Sequence, residues 1–407
     1  MEIITLPNNL RVLLVPMEEA SSVTVMAIVG TGSRYETKKN EGLAHFYEHM
    51  VFKGTQKYPD KKAIALAVDN IGAEYNGSTA QEYTAYYVKG AARDLTMGLD
   101  LVSQLLIYPL LADDEVGVER KVILEELHMY YDVPRYRAEI ELQKLLFPQH
   151  PLGKCGLGTA ETISNFGHKD FLAFQKKFYT ADKTVLVLAG KIGSEKKTIE
   201  KVKKYFGAMK TGKLITFEPI SNHKERKEVS IKKETDQIHL ALGVRALSWR
   251  HRRRFEQKLL NVILGKGMSS RLFQSLREKR GLCYAVYSSL ESFADTGILE
   301  IAAGVNKTKK ELAVEEIKKQ LSLLTTEFVG KEELIKAKNF IRGKLALVLE
   351  DSYGKALFYG KQILLRNSIR EPSELLREIE KVDRPAILSL SKELFKPENI
   401  RLVSVGN

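Results

Sequence analysis

Two histidines and a glutamate lie within one five-residue stretch, at His45, Glu48 and His49. An apolar stretch ending at Val29 and a glycine-containing loop precede them, which predicts a strand, a loop and then a helix that carries the motif. On a helix, positions i, i+3 and i+4 share one face, so the three side chains would point the same way. Two imidazoles so placed can hold one metal ion, and the carboxylate beside them can take a proton from an attacking water.

The motif alone leaves two interpretations open, because five-residue patterns arise by chance and a His/Glu cluster on a helix is often a solvated face. A catalytic zinc site commonly needs a third protein ligand from another rigid element. A second predicted helix, from about residue 116 to residue 131, carries Glu119, Glu125 and Glu126. Helix geometry puts Glu119 and Glu126 on one face and turns Glu125 about 100° away from Glu126, but it does not choose among them.

The elements that must position these residues repeat along the chain. In each half a helix ends at a glycine, Gly72 or Gly281, and two strands and a helix follow. A strong strand closes on Gly190 in the first half and on Gly406 in the second. We therefore expect an α+β protein of two similar halves, each a mixed or antiparallel sheet packed with helices. The predicted boundaries are a first domain over residues 1–212, a linker over 213–227 and a second, homologous domain over 228–407.

Two local predictions in the second half matter for the site. Residues 271–280 have the spacing of a helix that ends at Gly281. After a helix over residues 332–349, the next predicted helix begins at Ser373. The second half has no paired histidines, since it contains only His239 and His251, and we expect it to be metal-free.

Composition and charge bound the class of protein. The chain has 407 residues, 44% hydrophobic and 28% charged, with a formal net charge of +13, which is ordinary globular composition with a basic excess. The lysines are spread through predicted helices, and the densest basic run, residues 250–254, has no zinc-finger, RNP or helix-turn-helix pattern beside it. We expect a solvated surface and no nucleic-acid partner, although a basic nucleic-acid-binding protein remains one hypothesis.

The cellular setting is predicted from what the sequence lacks. Its two cysteines, Cys155 and Cys283, are too few for a disulfide framework and fit a reducing compartment, so we expect a cytoplasmic location. No apolar run approaches the roughly 20 residues needed to cross a bilayer. The first residues lack a basic region followed by a long apolar core, so they are not expected to act as a signal peptide, and no membrane association is expected.

The motif and the acidic helix after it resemble the pitrilysin-type inverzincin metallopeptidases, whose signature is His-x-x-Glu-His. Within that family the chain is most similar to the mitochondrial processing peptidase β-subunit and its bacterial relatives. The resemblance covers essentially the whole chain in order, and further matching stretches are 32–36, 42–46, 49–55, 76, 82–84, 150–153, 267–273 and 276–284.

The resemblance implies a set of roles in the first half. His45, His49 and Glu126 would bind one zinc ion per chain, Glu48 would be the general base, and Glu119 would lie just behind the ligands. Glu126 is preferred because the family's two acidic residues on this helix are seven apart, as Glu119 and Glu126 are.

Further implied roles concern the substrate. Arg277 and Tyr284 match a second-half arginine–tyrosine pair that holds the substrate backbone near the zinc and assists catalysis. The strand around Asn76, Gly77 and Ser78 would offer an open edge to an extended peptide, with an ordinary turn as the alternative. Subunits of the family form dimers. Since this chain carries both the metal-binding residues of the first half and the arginine–tyrosine pair of the second half, a homodimer is expected, or a heterodimer with a paralogue.

The resulting prediction is a zinc-dependent endopeptidase that acts on unfolded peptides or presequence-like segments. Two departures limit the resemblance: Tyr136 stands where the mitochondrial subunits have a further acidic residue, and the long glycine-rich loop of the noncatalytic subunit is absent. If the alignment is off by one residue, Glu125 replaces Glu126 as the ligand. The alternative function is a non-catalytic or scaffold subunit of a processing-peptidase-like complex, against which the intact set of histidines and glutamates argues.

Overall fold

The computed structural model describes residues 2–213, 215–221 and 227–407. Residues 214 and 222–226, which belong to the predicted linker 213–227, lie outside the described residues. The strands are β1 Ile3–Thr5, β2 Arg11–Pro16, β3 Ser22–Val29, β4 Glu74–Thr79, β5 Thr84–Ala91, β6 Thr184–Gly190, β7 Glu228–Ile231, β8 Gln237–Ala246, β9 Cys283–Ser292, β10 Gly297–Asn306 and β11 Arg401–Val405.

The helices lie between these strands, in places several in succession. They are α1 Leu43–Val51, α2 Lys61–Asp69, α3 Leu95–Ile107, α4 Asp113–Asp132, α5 Pro134–Leu146, α6 Ala160–Asn165, α7 His168–Phe178, α8 Glu195–Phe206, α9 Arg254–Gly265, α10 Lys310–Thr326, α11 Lys331–Glu350, α12 Ser352–Arg366, α13 Pro372–Glu380 and α14 Arg384–Leu394.

The two sheets repeat one topology. The first has the strand order β1-β2-β6-β3-β5-β4 and the second has the order β7-β11-β8-β10-β9. Without β1 the orders correspond strand for strand. The outer pair is parallel in both sheets, β2 with β6 and β7 with β11, and the remaining pairs are antiparallel. The predicted α+β fold with two similar halves, each built on a mixed sheet, is confirmed.

The chain forms two compact units. Unit 1 comprises Met1–Leu127, Cys155–Glu218 and Ala346–Arg370, and unit 2 comprises His128–Lys154, Pro219–Leu345 and Glu371–Asn407. The chain leaves the first half between Glu218 and Pro219, inside the predicted linker. However, each unit also contains one segment from the other half of the sequence. The compact units therefore differ from the predicted contiguous domains 1–212 and 228–407 in two helical segments.

Helix α12 is the segment that unit 1 takes from the second half. It packs on β3 and β6, where Ala356, Tyr359 and Ile363 join the buried core of the first sheet. A side chain at Gly360 would begin 2.5 Å from Cδ1 of Ile28, so glycine allows the helix to lie close to the strand. The sequence does not predict this helix, because Gly354 and Gly360 lower the helical propensity of a segment that tertiary packing stabilises.

Helix α5 is the segment that unit 2 takes from the first half. Ala138, Leu142 and Leu146 pack with Ala241 and Ile298 in a core on one face of the second sheet. A second core in unit 2 is built from the other elements and includes the apolar face of α14, which the sequence analysis also missed.

The predicted helix over 271–280 is not a regular α-helix. Residues Phe273–Lys279 form a π-helix, with Leu272 and Leu276 fully buried. The amide of Leu282 donates to the carbonyl of Leu276 over 2.8 Å, so the chain makes a wide last turn before β9 begins. Such π-helical turns are rare and occur frequently at functional sites.

Candidate metal centre

Helix α1 is fixed at its start by a glycine and a remote carboxylate. Gly42 has φ +91°, and a Cβ there would lie 2.4 Å from the carbonyl oxygen of Leu157. With no side chain to cap the helix at this position, Glu36 does so from outside: its two oxygens accept from the amides of Gly42 and Ala44, each over 2.8 Å. The cap satisfies orphan donors and places a negative charge at the helix N-terminus, which sets the start of the motif helix.

Packing decides which face of α1 is left for chemistry. Phe46 and Tyr47 are fully buried, with the ring of Phe46 5.0 Å from that of Phe171 on α7. His45 and His49 lie on the opposite face, with 14% and 24% of their side chains exposed. The helical spacing that the sequence predicted therefore turns the polar residues of the motif away from the core.

Helix α4 brings the acidic residues. Its acidic first turn, Asp113 to Glu115, suits the positive end of the helix. Arg120 donates to the carbonyl oxygens of Ile163 at 3.2 Å and Phe166 at 2.6 Å, which holds the middle of the helix. On this frame Glu119 is buried, Glu126 is half-buried and Glu125 is exposed.

Three potential ligand atoms converge between α1 and α4. Nε2 of His45 and Nε2 of His49 each lie 3.7 Å from Oε2 of Glu126. The ligand atoms of these three residues all lie within 4.8 Å of one another. The structure thus brings together the predicted trio, with Glu126 and not Glu125 as its carboxylate.

The trio fits a zinc ion. Two ligand atoms about 2.1 Å from zinc at a tetrahedral angle are about 3.4 Å apart, close to the observed spacing. Burial, and then the neighbouring His49, lower the pKa of His45 to about 3, so its imidazole is neutral and has a lone pair to donate. Burial also raises the pKa of Glu126. A cation would relieve the cost of gathering these donors in a partly buried place.

Glu119 stands behind the trio and orients one histidine. Its Oε1 accepts from Nδ1 of His49 over 2.8 Å, while its Oε2 contacts the ammonium of Lys53. Burial alone would raise the pKa of Glu119, but the hydrogen bonds from His49 and Lys53 outweigh it and lower that pKa. An ionised Glu119 only accepts, so Nδ1 of His49 carries the proton and Nε2 is left for the metal.

Glu48 lies beside the trio, against strand β4. Its Oε2 is buried and has no hydrogen-bond partner among the described residues. Burial raises the pKa of Glu48, against hydrogen bonds from the side chain and the backbone of Thr79. A Cβ on Gly77 would lie 3.0 Å from Cγ of Glu48 and 2.9 Å from Cε2 of Phe52, so glycine makes room for this carboxylate.

Strand β4 forms the end of the first sheet and pairs there with β5. Asn76 and Ser78 are exposed, and Gly77 between them is half-buried beside Glu48. The side-chain oxygen of Asn76 accepts from the amide of Gly77 over 2.9 Å. The ordinary turn that the sequence left as an alternative is not formed, because these residues lie inside the strand.

Arg277 and Tyr284 belong to unit 2, where the structure places them next to each other. The guanidinium carbon of Arg277 lies 5.1 Å from the ring centre of Tyr284 and 4.9 Å from that of Phe273. Tyr284 is 74% exposed. The π-helix and the start of β9 therefore present a cation held between two aromatic rings.

The basic run 250–254 is largely used within unit 2. Arg253 pairs with Glu393, Arg254 donates to the carbonyl of His251 over 3.2 Å, and Arg250 lies 4.7 Å from the ring centre of Trp249. These contacts stabilise the loop before α9. The two cysteines, Cys155 and Cys283, are both buried, and neither forms a disulfide within the described residues.

Three side-chain relationships at the site were not predicted from the sequence: the contact of Lys53 with Glu119, the contact of Thr79 with Glu48, and the space that Gly77 leaves for Glu48. Lys53 follows His49 by four residues, a spacing that could have indicated a shared direction. Thr79 on β4 forms hydrogen bonds with Glu48, and Gly77 on the same strand leaves space for it. No pattern in the sequence indicates either relationship. They depend on the tertiary packing of α1 against β4.

Comparison with known families decides the relationship. Residues 11–160 match the profile described as insulinase (peptidase family M16), and residues 165–341 match the profile described as peptidase M16 inactive domain. An uncharacterized zinc protease of Bacillus subtilis is 34% identical over 392 residues, covering 96% of this chain and 95% of that protein. The chain belongs to peptidase family M16. An uncharacterized zinc protease of Mycobacterium bovis is 33% identical over 403 residues, covering 96% of this chain and 90% of its own.

Solved structures share the fold of this M16 chain. A protease from Helicobacter pylori superposes with a TM-score of 0.92 at 24% identity, covering 100% of this chain and 99% of that one. A peptidase M16 inactive domain from Pseudomonas fluorescens also superposes with a TM-score of 0.92, at 20% identity. The match covers 100% of this chain and 97% of that one. At these identities the likeness establishes the fold alone.

Family membership and the histidine–glutamate trio together support a zinc-binding metallopeptidase with a peptide substrate. The predicted zinc cofactor and the predicted pitrilysin-type family are confirmed. The branch near the processing-peptidase β-subunit, the dimer and the cytoplasmic location stay predictions. Within the described residues, no helix is long and apolar enough to cross a bilayer.

Proposed function

We propose that this chain is a zinc metalloendopeptidase that cleaves peptide bonds in unfolded peptides or presequence-like segments. The observation that carries the proposal is the convergence of His45, His49 and Glu126 on one point with Glu48 beside them. We assign the first three as ligands and Glu48 as the general base. Zinc bound there would polarise the scissile carbonyl and make an attacking water more acidic.

Glu48 is the group that moves the proton. Its carboxylate takes a proton from the attacking water and then delivers it to the nitrogen of the leaving amine. The buried Oε2, which has no partner among the described residues, is the acceptor available for this step. Thr79 holds the carboxylate by hydrogen bonds and keeps it directed past Gly77.

The substrate binds as an added strand in this account. Strand β4 ends the first sheet, and its outer backbone groups can pair with an extended peptide along Asn76, Gly77 and Ser78. Gly77 lies beside Glu48, so a peptide on this edge passes close to the base. Backbone pairing recognises the extended main chain without needing a chain end, which suits an endopeptidase and unfolded substrates.

Arg277 and Tyr284 supply a second grip on the substrate. Tyr284 is exposed and Arg277 is oriented by two rings, so both have donor groups for peptide carbonyls and for the oxyanion that forms during attack. We propose that the protein works as a homodimer in which this pair acts on substrate held at the partner's zinc site. The scaffold alternative has no use for the complete set of three ligands and a base.

Digestion of a mixed peptide library, read by mass spectrometry, tests the proposal. Freshly purified protein should cleave internal bonds, lose that activity in a chelator and regain it when zinc is added back. A protein with bound zinc that leaves every peptide intact would favour the scaffold alternative. Cleavage that continues after complete zinc removal would contradict the assigned ligands.

A further inference from the structure

Lys53 connects the motif helix to the acidic helix behind the metal centre. It lies in the turn after α1, four residues beyond His49, and its ammonium contacts Oε2 of Glu119 and, at 3.3 Å, Oε2 of Glu115. The side chains of Lys53 and Glu119 are only 12% and 8% exposed. The contact is therefore a largely buried one, unlike an ordinary surface ion pair.

We propose that Lys53 is a positioning residue of the zinc site, holding Glu119 in the orientation in which its other oxygen accepts from Nδ1 of His49. The inference rests on the zinc site of the proposed function. It adds a second step to the support of the ligand: Lys53 fixes Glu119, and Glu119 fixes the ring and tautomer of His49.

The arrangement of atoms argues for this order. Glu119 divides its oxygens, with Oε1 on His49 and Oε2 on Lys53. Glu115, Glu119 and Glu126 are spaced by four and seven residues, so three carboxylates share one side of α4. Without the ammonium of Lys53, a buried Glu119 between two like charges would be costly. The side chain of Glu119 would then be better solvated if it turned away from His49 toward water.

The turn that carries Lys53 is itself held in place. The amide of Lys53 donates to the carbonyl of Met50 over 3.1 Å, and Leu110 donates to the carbonyl of Gly54 over 2.9 Å. Gly54 has φ +157°, and a Cβ there would lie 2.6 Å from the carbonyl oxygen of Pro59. A long, flexible lysine is therefore anchored at a defined point, which a positioning role requires.

Zinc affinity is the first readout, because it is independent of turnover. The zinc dissociation constant of purified protein is measured by competition with a chromophoric chelator. Lys53→Met, which keeps length and removes charge, should raise the constant about 10- to 100-fold, the usual effect of losing an outer support of a metal ligand. Lys53→Arg should restore affinity to within about threefold of wild type, because it keeps the charge and the donors.

Lys57→Met is the matched control. Lys57 also pairs with a largely buried carboxylate, Asp100 at 2.6 Å, and lies four residues further along the chain, but it does not contact Glu119. Its zinc affinity should stay within about twofold of wild type. If Lys53→Met fails to fold, Lys53→Gln replaces it with the same expected loss of affinity, because it also lacks the charge.

A double-mutant cycle separates positioning from general stabilisation. If Lys53 acts through Glu119, then Lys53→Met should weaken zinc binding no further once Glu119→Gln is present. Lys53→Met with wild-type affinity, or a double variant whose loss is the full product of the two single losses, would overturn the inference. A wild-type protein that binds no zinc would instead overturn the proposed function, so the two failures are distinguishable.

Discussion

Oε1 of Glu119 accepts a hydrogen bond from Nδ1 of His49 over 2.8 Å, and the opposite nitrogen of the same ring lies 3.7 Å from Oε2 of Glu126. The imidazole of His49 thus donates a hydrogen bond to one glutamate of α4 through Nδ1, and its Nε2 faces a second glutamate of the same helix. The two glutamates are seven residues apart, two turns of helix. Regular helices, not loops, therefore set the positions of the donors, and the site can be preorganised before metal arrives.

The adjacent glutamates on α4 give a sharp test of the ligand set. Glu126→Gln should weaken zinc binding by more than about 100-fold, beyond the usual effect of an outer-shell change, because a charged ligand is lost. Glu125→Gln, one residue away and exposed, should stay within about twofold of wild type. Metal content after dialysis at a fixed free zinc concentration measures both. The reverse ranking would assign the ligand to Glu125.

Gly77 should be required for catalysis but not for metal binding. An alanine Cβ would press on Cγ of Glu48 at 3.0 Å and on the ring of Phe52, so the base would be displaced while the three ligands stay in place. We expect Gly77→Ala to lower kcat by about 10- to 100-fold, with zinc affinity unchanged within about twofold.

The variant Glu74→Gln is the control for Gly77. It alters the same strand at an exposed position outside the proposed substrate edge and should keep zinc and most of the rate. Peptide turnover at saturating substrate, measured beside zinc content, checks both variants. Normal turnover by Gly77→Ala would remove the argument that Glu48 needs this space.

Subunit complementation tests whether Arg277 acts across a dimer. A heterodimer isolated with two different tags would combine one Glu126→Gln subunit, which lacks zinc, with one Arg277→Ala subunit, which lacks the clamp. If the clamp acts on the partner's zinc site, one complete site remains, and activity should be about half that of wild type.

Both parental homodimers should be nearly inactive in that experiment. If the clamp acts within its own subunit, the heterodimer has no complete site and should be as inactive as its parents. A protein that stays monomeric at working concentration would contradict the proposed dimer directly.

The fold was predictable from the sequence wherever local pattern and packing agree. Strand β3, which ends at Val29, and helix α4, which was predicted from about residue 116 to residue 131, lie where the residue pattern places them. The two glycine-ended repeats correspond to two sheets of one topology. The exchange of α5 and α12 was not predictable, because it depends on which sheet a helix packs against and not on the helix itself. The π-helix at Phe273–Lys279 departs from a predicted α-helix for a similar reason: its hydrogen bonding, not its residue spacing, distinguishes it.

The candidate site was predictable in part. Spacing alone placed His45, Glu48 and His49 on one face, because neighbours on a helix obey a fixed geometry. It could not decide between Glu125 and Glu126, since that choice depends on the rotation of α4 against α1. The contact of Lys53 with Glu119 was also out of reach, because it depends on the turn after α1.

A half-buried carboxylate in unit 2, that of Glu300, should make stability depend on pH. Burial, and then the nearby Glu139, raise the pKa of Glu300 to about 8, and Oε1 of Glu300 has no partner among the described residues. Glu139 itself accepts from Tyr287 and Arg135, each over 3.1 Å. Because the folded state raises this pKa, the stability it contributes is fully present below the unfolded pKa and is lost as pH rises through about 8.

Glu300→Gln should remove that dependence. The variant should gain roughly 2–4 kcal/mol over wild type at pH 9 and little at pH 5, less than the whole pKa shift implies, since the side chain keeps some contact with water. Urea denaturation of zinc-free protein at both pH values measures this, and Glu234→Gln, at an exposed position before β8, is the control. An equal effect at pH 5 and pH 9 would show that Glu300 is ionised throughout.

The central claim is that Glu48 moves the proton at a zinc centre held by other residues, and Glu48→Gln tests it most directly. The change keeps size and removes the base, so the variant should bind zinc as wild type does. Its hydrolysis of an unfolded protein such as denatured casein should fall by about 10²- to 10⁴-fold, as expected for loss of a general base. Zinc content and turnover are measured on the same preparation. A variant that keeps its zinc and cleaves at the wild-type rate would contradict the account.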